Sequence, residues 1–109
     1  MLYTEFNVKD REYKLKLNTR EIVSLEKKIG CNPVLIFGTT GNQVPTITTM
    51  VQILHSSLQA YQSNIDMNKA YEIFDEWLED GNTSTDFIPV ILEIYRVSGL
   101  IRKETNEKN

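Results

Sequence analysis

The side chains with most scope for chemistry in this 109-residue chain are the acids Glu72, Asp75, Glu76, Glu79 and Asp80, one histidine, His55, and one cysteine, Cys31. The acids recur at helical spacing in YEIFDEWLED and so form a stripe along one helix. Such a stripe can hold a divalent cation or dock a basic partner. Divalent sites in helical bundles combine glutamates with a Glu-x-x-His pattern on facing helices, and no such pattern occurs here. Glu72, Asp75, Glu76 and Glu79 therefore read as a solvated face or an electrostatic docking surface, not as metal ligands. General acid–base catalysis by His55 needs a partner within hydrogen-bond reach. The sequence names none, so a half-buried structural histidine is expected. Cys31 has no CxxC partner; just after Gly30, it is expected to make the apolar contact that follows a helix stop. Glu26 lies close to an apolar stripe and is expected to be partly buried, tying its helix to a neighbouring hairpin. The loop GTTGNQVP, 38–45, has two glycines but no GxxxxGK[ST] phosphate cradle. Tyr71, Phe74 and Trp77 at helical spacing are core instead of a base-stacking platform, which needs a basic groove. No acid, base and nucleophile set emerges, so a non-enzymatic protein without cofactor or metal is expected.

These residues must be positioned by a modest fold. A chain of this length makes one domain and buries roughly 65% of its unfolded surface. Charged residues are 25% and apolar residues 40%, as in ordinary globular proteins. The net charge of −3 argues against non-specific nucleic-acid binding, which relies on a positive surface. A single cysteine precludes an internal disulfide and fits a reducing compartment. The N-terminus lacks a run of signal-peptide length, and the greasiest segment, 87–101, is too short to span a bilayer. A cytosolic location with no membrane contact is expected.

The segment 2–8 alternates, with Phe6 and Val8 on one side. After the polar turn Lys9-Asp10-Arg11, Tyr13, Leu15 and Leu17 alternate with Lys14 and Lys16. This predicts a two-stranded hairpin with one greasy face. Asn18 with Glu21 predicts a capped helix carrying Ile22, Leu25 and Ile29 and stopping at Gly30. Asn32-Pro33 restarts the chain, and Val34–Phe37 should be a helical turn that plugs the core. A second helix, capped by Thr46 or Thr48, is predicted to run to about Gln62 with Ile47, Met50, Val51, Leu54, Leu58 and Tyr61 inward. A third, capped by Asn64 or Asp66, carries Met67, Ala70, Tyr71, Phe74, Trp77 and Leu78 inward and stops at Gly81. The fourth starts near Asp86, because Pro89 is tolerated only in a first turn, and stops at Gly99. The fold class is thus α+β and mostly helical: an N-terminal two-stranded β-hairpin packed on about four α-helices. Residues 1–101 form one domain, and 102–109 are expected to be a disordered charged tail.

Within FIPVILEIYRVSGLI, 87–101, Glu93 and Arg96 share one narrow side of the helix and apolar groups cover nearly all the rest. An ordinary surface helix shows only a stripe. The excess fits either a central core helix or a face awaiting another polypeptide, and Ile88, Leu92 and Tyr95 are its candidate contacts.

The order of segments resembles the small tail assembly chaperones of long-tailed phages and prophages of Gram-positive hosts. The likeness runs from Tyr3 to about Leu100. It rests on LEKKIGCNP, Leu25 to Pro33, and TDFIPVILE, Thr85 to Glu93, which are diffuse patterns and not a catalytic signature. The resemblance implies a non-enzymatic protein that coats the tape measure protein in the cytoplasm of the bacterial host while the tail tube polymerises, and that is absent from the finished virion. It implies the tape measure protein as partner, the tail tube protein as a further one, and self-association, since a small chain covers a long rod only in many copies. Members are often also made in a longer, frameshifted form. Two rival readings are a tail-completion or head-to-tail component that stays in the particle, and a small helical DNA-binding regulator. The second needs basic residues clustered on one helix, and beyond Lys27 and Lys28 the helices are poor in them.

Overall fold

Strand β1 (Thr4–Val8) and strand β2 (Arg11–Leu15) pair antiparallel, with Phe6 opposite Tyr13 and Val8 opposite Arg11. The computed structural model describes residues 2–102. The turn is only Lys9-Asp10, with Lys9 in the left-handed region at φ 55°. Alternation puts Phe6, Val8, Tyr13 and Leu15 on one buried face. α2 (Ile47–Leu58), α3 (Met67–Glu79) and α4 (Phe87–Ser98) pack on the hairpin, and α1 (Thr19–Ile29) packs on α2. Two short 3-10 turns, Pro33–Phe37 and Ser84–Asp86, lie before α2 and α4. The α+β, mostly helical class and the hairpin-plus-four-helices order are those predicted.

α2 is the hub: α1, α3, α4 and β2 all pack on it. Its sequence ITTMVQILHSSL has no Asp, Glu, Lys or Arg, as befits a helix enclosed on several sides. One end of the core is aromatic. Phe6, Phe74, Trp77 and Phe87 meet at centroid separations of 5.4–5.8 Å, tilted or edge-to-face. Such pairs add roughly 0.5–1.5 kcal/mol each beyond burial. The core reading of Phe74 and Trp77 holds.

Several stops and caps follow the sequence closely. Asn32 Oδ1 accepts from Val34 N–H, Thr46 Oγ1 from Thr49 N–H, and Asp66 Oδ1 from Lys69 N–H. Gly30 and Gly99 close α1 and α4 with φ of 77° and 83°, a region where a side chain is strained. Asp86 draws in the Thr83 N–H at 2.8 Å and its hydroxyl at 3.1 Å, and Pro89 sits in the first turn of α4.

Other expectations are corrected. α2 ends at Leu58, short of Gln62, because the Ser57 carbonyl is taken by the Lys16 N–H at 3.0 Å instead of extending the helix. Ile47, Tyr61 and Tyr71 are exposed, not inward. Tyr61 lies beyond the helix end, edge-on to Tyr3 at 5.2 Å, with Lys14 over the Tyr3 ring. Asn18 holds the predicted cap position but makes no side-chain cap bond. Glu26 is exposed, since Ile22, Leu25 and Ile29 turn the other side of α1 to the core. Cys31 is exposed as well. Of the tail expected to be disordered, Arg102 is described and exposed; 103–109 lie outside the described residues.

Candidate functional site

The 3-10 turn Pro33–Phe37 presents two sides. Residues three apart eclipse in such a turn, so Pro33 and Ile36 are buried together while Leu35 is left 51% exposed. Val34, Leu35 and Phe37 form one wall of a groove, and Gly38, Thr39, Thr40 and Gly41 form its lip. The other wall is Ile88 and Leu92, one helical turn apart on α4. The groove has a volume of about 570 Å³, and its walls carry no ionisable side chain. The loop is held by backbone bonds, Gln43 N–H to Phe37 O at 2.8 Å and Gly38 N–H to Leu35 O at 2.9 Å. The arrangement is built to take apolar surface.

Two of the three candidate contacts on α4, Ile88 and Leu92, are therefore at the surface, half-buried in the groove wall. Tyr95 is not. It is 0% exposed, and its hydroxyl donates to the Pro33 carbonyl at 2.8 Å. Burial pushes its phenol above the usual tyrosine range. Three residues past Leu92, Tyr95 turns inward and pins the 3-10 turn that forms the opposite wall. The sequence expectation that it meets a partner is thus replaced by a positioning role.

The acidic stripe is partly spent inside the molecule. Asp80 Oδ2 accepts the Lys9 N–H at 2.7 Å, and Glu79 meets the Lys9 ammonium at 3.4 Å, so this end of α3 clasps the hairpin turn. Glu76 lies close enough to Arg11 to favour its charged form. Glu72 pairs with Lys69 at 3.7 Å, an exposed contact of little energetic weight. Asp75 forms no ion pair among the described residues and borders a second, smaller groove between α2 and α3. Among the described residues no group of three or more His, Cys, Asp or Glu is placed to hold a metal ion.

His55 is partly buried on α2. Desolvation first, then the Lys28 charge, holds its pKa below the ordinary 6.5, against weaker opposing effects of Ile65 and Asp66. Its Nδ1 and the Gln52 Oε1 are buried without a hydrogen-bond partner among the described residues.

The wall residues Val34, Leu35 and Phe37 escaped sequence reasoning, which placed 34–37 wholly in the core. The signal was present: a three-residue repeat that buries Pro33 and Ile36 must turn Leu35 outward.

Fold and groove together define a class, a small α+β domain with a preformed apolar groove. The chain belongs to DUF6096, a family of unknown function, whose model matches residues 4–109. No curated protein and no solved structure matches it. No helix among the described residues is long and apolar enough to cross a membrane.

Proposed function

We propose that this protein is a tail assembly chaperone of a long-tailed phage or prophage. In this reading it binds the tape measure protein in the cytoplasm of the bacterial host, self-associates along it, gives way to the tail tube protein, and is absent from the mature virion. The observation that carries the proposal is the groove between Pro33–Phe37 and α4. The two segments in which the chain resembles those chaperones, Leu25–Pro33 and Thr85–Glu93, lead into its two walls. A long helical protein awaiting its tube exposes apolar stretches prone to aggregate, and an apolar groove covers such stretches in the helix-in-groove manner.

Co-expression with the tape measure protein of the same phage or prophage tests the reading. The wild type should keep that protein soluble and co-purify with it. Leu92→Asp and Leu35→Asp should each lose it. Leu35 is the safer probe of the pair, because half its surface is already in water. Co-purification unaffected by both substitutions would contradict the proposal, as would the chain's presence in purified virions by mass spectrometry.

A further inference from the structure

The geometry points to a head-to-tail contact between copies of this chain, in which the outer face of α1 of one molecule seats in the α2–α3 groove of the next. It deepens the self-association in the reading above and rests on that part of it. The receiving side is the second groove, about 300 Å³, lined among others by Ile47, Val51, Tyr71, Asp75 and Leu78. It keeps two large apolar side chains in water: Ile47 is 54% and Tyr71 51% exposed. Its two walls differ in charge. The α2 wall has no Asp, Glu, Lys or Arg, whereas the α3 wall presents Asp75, with Glu72 and Glu79 next round the helix. A complementary surface is apolar with positive charge on its flank.

α1 carries that surface. Val23 is 45% exposed and is flanked, one turn either side, by the exposed Arg20 and Lys27, with the exposed Glu26 also on that side. Neither cation forms an ion pair among the described residues, and neither does Asp75. α1 and α3 both pack on α2 within one domain, so the basic face cannot reach its own groove. A two-fold contact centred on either face alone would set acid against acid or base against base. Head to tail the contact is heterologous, and each pair of copies keeps one free donor face and one free acceptor groove. Such contacts build rings or open helical arrays, the form needed to cover a rod.

Sedimentation equilibrium over a range of concentrations tests this, with circular dichroism to show that each variant is folded. The wild type should self-associate, more weakly as salt is raised. Asp75→Lys and Lys27→Glu should each weaken association by about tenfold or more, because each sets like charges together. The chain carrying both substitutions should recover it. Association unchanged in both single variants, or absent still in the double, would overturn this interface while leaving self-association by another surface standing. A wild type monomeric throughout would overturn the interface and the self-association together. Tape measure binding, read separately through Leu35→Asp, would still decide the chaperone proposal.

Discussion

Tyr95 links the interior to the groove through one bond. Its hydroxyl is the buried donor to the Pro33 carbonyl, 62 residues away in sequence. Removing it in Tyr95→Phe takes away that buried bond, which contributes about 0.5–1.5 kcal/mol. Chemical denaturation should show that loss, and the groove wall it pins should loosen with it. The sequence could not separate Tyr95 from Ile88 and Leu92, because an almost wholly apolar helix offers no polar face to mark which side is wet. His55 gives a second prediction. Burial lowers its pKa in the folded state, so the unfolded chain binds the proton more readily. Its contribution to stability is then complete above the unfolded value near 6.5 and is lost as pH falls through that value toward the folded one. The melting temperature should drop on going from about pH 7.5 to about pH 5.5, and His55→Gln should flatten that slope. A slope unchanged by the substitution would assign the effect to other groups.

Among the elements, the hairpin is held by groups from segments distant in sequence. The Gln62 amide grips the outer edge of β2 as a strand would: Oε1 accepts from Lys14 N–H at 2.8 Å and Nε2 donates to Lys14 O at 3.0 Å. Ser57 O takes the Lys16 N–H, and Ser98 Oγ takes the Leu17 N–H at 2.8 Å. Together they cover an edge that would otherwise invite strand pairing with another chain. Gln62→Ala should cost about 1–2 kcal/mol, with faster hydrogen exchange at Lys14 as its signature. Asp80 does the same for the turn by holding the Lys9 N–H. The strands, the four helices and most caps were legible because period, glycine stops and Asn, Thr and Asp caps are local signals. The C-terminal end of α2 and the outward set of Tyr61 were not. They depend on Lys16 taking Ser57 O, a contact between segments 41 residues apart that no local pattern announces.

For the whole molecule, the surplus of apolar residues on 87–101 resolves into two parts. Phe87, Ile91, Ile94 and Tyr95 fill the core, and Ile88 and Leu92 stay at the rim of the groove. Half of the sequence reading of α4 was therefore a statement about folding and half about surface, and only packing could divide them. In the proposed reading this groove receives another polypeptide. Hydrogen exchange on the chain, alone and saturated with the tape measure protein, follows that contact segment by segment. Added protection is expected to concentrate in 34–41 and 87–92. Binding that leaves those two segments unchanged and protects others instead would contradict it.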